Sequence, residues 1–175
     1  MGHAEDVFNW ITVLSPTASV ELLMAGWLHD CERLIDFEGT TGFKGDRNSP
    51  EYLEHKKNHA KRSAELAKTM LQKFNWQDES INRVCSLILH HDDTGEEIDR
   101  LGDEELTILA AADSFSFFTY IAPDMLAREG EARLQNKADF MVGKMSPRIR
   151  RLLGNQQLTD PTIARVKNRA LANCS

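Results

Sequence analysis

The chain has 175 residues, of which 41% are hydrophobic and 27% charged, and its net charge is −6. That is the length of one domain and the composition of an ordinary globular protein, which excludes a disordered or low-complexity chain. The acidic balance argues against dedicated nucleic-acid binding, and the N-terminus lacks the basic-then-apolar order of a secretory signal. The apolar run bounded by Glu21 and His29–Asp30 is too short to span a membrane. Cys31, Cys85 and Cys174, an odd set without a CxxC pair, predict reduced thiols in a cytoplasmic protein.

Helical punctuation and period run from end to end. A first helix is expected at about 4–14. Ser15–Pro16 then predicts a helix start, because proline suits the first helical position. Val20, Leu23, Met24, Trp27, Leu28, Cys31, Leu34 and Ile35 follow the i, i+3, i+4, i+7 pattern, with apolar residues also on the other side, so this helix is expected to be central. A loop is expected over 36–48. Ser49–Pro50 opens a helix over 50–74, and Asp78 caps one over 79–91. A second loop is expected over 92–102, then helices at 103–121 (capped by Asp103), 124–143, 147–153 and 161–172, the last two opened by Ser146–Pro147 and Asp160–Pro161. No segment alternates as a strand would. The expectation is an all-α, single-domain helical bundle of about six to eight helices over 1–175, with a chemistry-bearing core at about 3–121 and helices 124–172 packed on it.

Several of these helices carry an ionisable residue on the apolar stripe. His59 is in register with Ser63, Leu66, Met70 and Phe74. Asp113 lies between Leu109–Ala110 and Phe117. His91 follows Val84, Leu87 and Ile88, and His29–Asp30 closes the most hydrophobic helix. His3 stands four residues before Val7. Buried carboxylates are paired or bind metal, because an isolated buried charge is too costly. The candidates are each about one helix and its connection apart, so each comes from a different helix and all can face a common centre. The helical wheel favours His91 over His90, and both remain candidates. Imidazole and carboxylate donors suit Fe, Mn, Ni, Co or Zn, and carboxylate-rich sites also take Mg.

The segments GWLHDC at 26–31, ILHH at 88–91 and AADS at 111–114 resemble the HD-domain superfamily of metal-dependent phosphohydrolases, whose pattern is H…HD…D with further histidines in two-metal members. The resemblance covers roughly residues 3–121. It implies an HD-type helical fold, with His29, Asp30 and Asp113 as the core metal triad and His3 as the first histidine of the motif. It further implies His59 and His90/His91 as ligands of a second metal that shares Asp30, the central catalytic carboxylate. The run HDCERL departs from known subgroups. The glycine–lysine and the GYP segment of cyclic-dinucleotide phosphodiesterases are absent, as is the HD-x-x-ED run of alarmone hydrolases. Arg33 stands where bacterial deoxynucleotidases carry glutamate, and Glu32 comes one place early.

The activity so implied is hydrolysis of a nucleotide or other small phosphate ester by a metal-activated water. Basic residues near the ligands are the candidate phosphate contacts: Arg33, Lys44, Arg47, Lys56, Lys61 and Arg62, with Lys57 beside them and His55 as a neighbour of His59. Trp10, Trp27 and Trp76 are expected in the core, and Phe115, Phe117 and Phe118 in the core or along a pocket. The expected partner is a small anionic phosphate-containing substrate, with no membrane, and a homodimer is left open. Two alternatives stand beside this reading: an HD-fold di-iron oxygenase, and a non-catalytic metal-containing nucleotide-binding protein.

Overall fold

Side-chain caps set where the helices begin. A computed structural model describes residues 2–33 and 50–174, apart from the side chains of Tyr52, Leu53, Lys56 and Lys57. Helix α1 (His3–Leu14) is followed by a turn at Ser15, and α2 (Val20–Leu28) starts later than the Ser15–Pro16 signal suggests. Its cap is Ser19, whose hydroxyl accepts from the Leu22 amide at 3.0 Å. Next come α3 (Pro50–Lys57), α4 (His59–Lys73) and α5 (Asp78–His90). The expected single helix over 50–74 breaks at Asn58, whose ψ of 1° leaves the helical region. The expected loop at 92–102 contains α6 (Gly95–Leu101), opened by a reciprocal cap between Thr94 and Glu97 and closed by left-handed Gly102.

Helix α7 (Glu104–Ser116), capped by Asp103, runs into a π-helical turn (Phe117–Ile121) and on into α8 (Ala122–Glu129). Pro123 accounts for the turn: it has no N–H to donate and its ring crowds the preceding turn, so the ladder widens, with Ala122 N–H reaching Phe117 O. Gly130, at φ 82°, ends the rod. Helices α9 (Glu131–Gly143), α10 (Pro147–Asn155) and α11 (Pro161–Asn173) complete the fold. The described residues are all helix and connection, with no strand. With the kinked α3–α4 and α7–α8 each taken as one rod, the described residues hold nine helices, slightly more than expected, α6 being the unanticipated one.

The buried side chains form two clusters. Val7, Ile11, Leu22, Leu71, Val84, Leu87, Ile98 and Leu109 belong to the first, built by α1, α2, α4, α5, α6 and α7. Phe117, Phe118, Leu134, Met141, Ile163 and Val166 belong to the second, built by α7 to α11 and the π-turn. Phe115, Phe117 and Phe118 are thus core residues. Trp10 and Leu14 of α1 pack on both clusters. Trp27 is not in the core: it is 46% exposed, with its ring centroid 5.8 Å from that of Phe8. The rod 104–129 is long and apolar enough to cross a membrane by length and composition, a run the sequence reading passes over, but 72% of its apolar window is buried inside the protein.

Helix α1 lies between α2 and α7, and Ile11 fills the space that the missing Cβ of Gly26 leaves on α2. Replacing Ile11, fully buried, by alanine opens a cavity at this contact. The expected loss is about 2–5 kcal/mol, read as a lower urea midpoint with an unchanged slope.

Candidate metal centre

The centre forms where helix ends meet. His29 caps the C-terminus of α2 and His91 caps that of α5. The last carbonyls of a helix lack intrahelical donors. Each histidine supplies one: His29 Nδ1 lies 2.8 Å from Gly26 O, and His91 Nδ1 lies 2.6 Å from Ile88 O, both partners being three residues back. A carbonyl only accepts, so Nδ1 carries a proton in each ring, and in the neutral form of either ring that is the only proton. Nε2 is left with its lone pair, the form that ligates metal. Both rings are buried. Burial, followed by nearby positive charge, pushes the His91 imidazolium down to about 4, which keeps that ring neutral near pH 7.

The other donors arrive from different elements. His3 opens α1, and its Nδ1 lies 2.9 Å from Ser116 Oγ. Its Nε2 lies 3.2 Å from Asp113 Oδ1 and 3.3 Å from His29 Nε2, while His29 Nε2 is 3.7 Å from the same Asp113 oxygen. Donors about 2.1 Å from one shared ion stand roughly 3.0–3.4 Å apart, so this triad has near-ligand spacing before any ion enters. His59, at the start of α4, places Nε2 3.6 Å from Asp30 Oδ1 and 3.4 Å from Asp92 Oδ2. Its ring centroid is 5.3 Å from that of His91, which is in turn 5.2 Å from that of His29. Among the described residues, three groups could hold a metal ion: His3–His29–Asp113, His29–Asp30–His91 and His59–His91–Asp92. They form a chain, with His29 shared by the first two and His91 by the last two. Asp30 and Asp113 fall in different groups, joined through His29.

Among the described residues, three carboxylates and two cations meet here. Arg33 Nε is 2.9 Å from Asp30 Oδ2. Lys144, directly after α9, donates to Asp92 Oδ1 at 2.6 Å and to Asp113 Oδ2 at 3.1 Å. Burial alone would raise the carboxyl pKa of Asp113, yet Lys144 and His3 hold it well below the usual range. Asp92 is also lowered, against its burial, chiefly by Lys144. In return the two carboxylates raise the Lys144 ammonium above its usual value in spite of its burial. All three groups are therefore charged at neutral pH.

Two residues of this centre are missing from the sequence expectation, Asp92 and Lys144. Asp92 had a visible signal: His91–Asp92 is a second HD dipeptide, closing α5 as His29–Asp30 closes α2. Lys144 had none, since it joins the site from the far end of α9. His90 faces away, with Nδ1 2.7 Å from Asp93 Oδ2, and lies outside all three groups.

The basic candidates separate. Arg33 is beside Asp30 with its side chain 63% exposed. Arg62 is taken up by a forked ion pair to buried Glu32 and by Nη2 donating to His55 O at 3.0 Å, so it is not offered to a ligand. This is a correction of its expected role, and the cause is that Glu32 is buried and needs a counter-charge. Lys61 is exposed. Lys44 and Arg47 lie outside the described residues, as do the side chains of Lys56 and Lys57. Cys31 has its thiol pushed up to about 11 by burial, so it is no nucleophile near neutral pH.

The molecule is thus an all-helical protein with buried His/Asp clusters that could hold metal. It belongs to the family described as a domain of unknown function, DUF4202, whose model matches residues 1–166 and so includes every residue of the centre. No curated protein matches the chain, and no solved structure does.

In protein stripped of metal, neutral His91 sets an acid limit. Its pKa is about 4 folded and about 6.5 unfolded, so the unfolded chain binds the extra proton between those values and stability falls with pH through that window. The full effect is about 3 kcal/mol. Urea unfolding of EDTA-treated protein from pH 7 to 4.5 should show this loss, and His91→Gln should show a smaller one.

Proposed function

We propose that the protein is a metal-dependent hydrolase of the HD-domain type that cleaves small phosphate esters. The observation that carries the reading is the set of imidazole Nε2 atoms and carboxylate oxygens drawn to ligand spacing, two of the imidazoles being held as metal-ready tautomers by helix-end carbonyls. Divalent ions suited to such donors, among Fe, Mn, Mg, Ni, Co and Zn, supply Lewis acidity and an activated water when bound.

The residues divide the work. His3, His29 and Asp113 form one holding group, and His59, His91 and Asp92 the other. Asp30 lies between them, with Oδ2 near His29 and Oδ1 near His59, and is the carboxylate placed to serve both. Arg33 fixes Asp30 through Nε and leaves a largely exposed guanidinium at the rim, the group we assign to the substrate phosphate. A net acidic chain with a cation at this mouth favours a small anion over nucleic acid.

The test is metal analysis of gently purified protein followed by turnover of p-nitrophenyl phosphate and a nucleotide panel. Wild type is expected to carry about two ions per chain, and His59→Ala about one, with most turnover lost. Arg33→Ala is expected to raise KM about tenfold or more while retaining metal, since a charge-assisted phosphate contact is lost. Metal-replete protein that is inactive over the whole panel would overturn the assignment, and mixed-valent iron by EPR would move it to oxygen chemistry.

A further inference from the structure

Lys144 is the one buried cation of the centre among the described residues, and its placement is built rather than incidental. Its side chain is 1% exposed, and its Nζ bridges Asp92 Oδ1 and Asp113 Oδ2. Those two aspartates belong to the two outermost metal-holding groups. In each, the oxygen that Lys144 does not take is the one facing histidine: Asp113 Oδ1 toward His3 and His29, and Asp92 Oδ2 toward His59. One ammonium therefore determines the face of both carboxylates.

The backbone carrying Lys144 is held as closely. A Cβ added at Gly95, at the start of α6, would collide with the Gly143 carbonyl oxygen, so α6 and the end of α9 approach to a separation that only glycine permits. On α7, Ser114 Oγ lies 3.0 Å from Met141 O and ties the same stretch of α9 to the residue beside Asp113. Two independent contacts thus fix the α9 terminus against the segments that carry Asp92 and Asp113.

We propose that Lys144 is a positioning residue that makes Asp92 and Asp113 single-oxygen ligands, so that the number and geometry of open coordination positions at both metals are set from the C-terminal helices. A charged hydrogen bond to one carboxylate oxygen leaves the other as donor and lowers its tendency to chelate through both. With the ammonium gone, both oxygens of each aspartate can turn to the ion, and the coordination number rises. This inference rests on the metal-centre reading above.

The experiment is cobalt(II) titration of the metal-stripped full-length protein, followed by visible absorption. Wild type is expected to take up cobalt and show d–d bands of low-coordinate form. In Lys144→Met, the d–d absorption is expected to weaken as coordination rises, and cobalt affinity to fall about 10–100-fold, the usual cost of losing an outer-shell partner. Gly95→Ala, which keeps the ammonium but displaces its backbone, is expected to shift the bands in the same direction, and it serves if Lys144→Met does not fold. A purely structural role would lower the melting temperature and leave the spectrum alone. A mere charge effect would raise cobalt affinity with the same bands. A wild-type spectrum in folded Lys144→Met, or in Gly95→Ala when it alone folds, overturns the proposal whatever happens to stability. If wild type itself takes up no cobalt, the metal reading has failed first, which is a separate result.

Discussion

The centre depends on one hydrogen bond made twice: imidazole Nδ1–H to the carbonyl three residues earlier, at the ends of α2 and α5. A helix end needs donors for its last carbonyls. A buried imidazole needs a partner for its N–H. Meeting both needs together fixes the ring's rotation and its tautomer, and aims Nε2 inward. The structural demand and the ligating capacity are thus one feature. The same placement explains why each histidine is followed by aspartate: the residue after the helix end turns across the mouth of the site, where Asp30 and Asp92 both approach His59.

The charge balance follows from this arrangement. Three carboxylates within one buried region repel, and burial alone would protonate them. Arg33 and Lys144 offset that cost, Lys144 by contact with the oxygens of Asp92 and Asp113 turned away from the histidines and Arg33 through the Asp30 oxygen that also faces His29. The centre is consequently anionic with lone-pair nitrogens, a combination that has no stabilising neutral occupant and suits a cation. Lys144 also explains why two hydrophobic clusters are needed around one site. The first supplies His3, His29, His59 and His91 on packed helices, and the second anchors α9 and so delivers the lysine.

Much of the helical fold is legible in the amino-acid sequence. Capped 3.6-period helices are a strong signal, and ionisable residues on apolar stripes stand out because their burial is costly without a purpose. What was missed has physical reasons. Helix α6 is short and polar, so only its Thr94–Glu97 cap betrays it, and its surroundings of Gly, Asp and Thr read as loop. The fusion of α7 with α8 was hidden because separate helices were expected at 103–121 and 124–143, on either side of Pro123, whereas a π-turn lets the rod pass through it. Asp92 was passed over because His90–His91 drew the reading to imidazoles, with the wheel favouring His91 of the two. Arg62 was counted among the candidate phosphate contacts because the burial of Glu32, its partner, is decided by the tertiary fold.

Lys144 shows the limit of reading local pattern. Its neighbours, Gly143 and Met145, carry no periodic message, and lysine at a helix end is ordinarily a solvated charge interacting with the dipole. It becomes part of the centre only because Gly95 lets two backbones touch and Ser114 ties α7 to α9. Those are contacts between segments far apart in sequence, and their energetic logic lies in the carboxylates at the other end of the lysine. Burying one ammonium against two aspartates would be a poor way to stabilise a fold, since apolar side chains of similar size do as well or better. The arrangement makes sense where the carboxylates are fixed by another demand. On the proposed metal reading, that demand is a cation on their far side, held by histidines of which two have their proton positions set by helix ends.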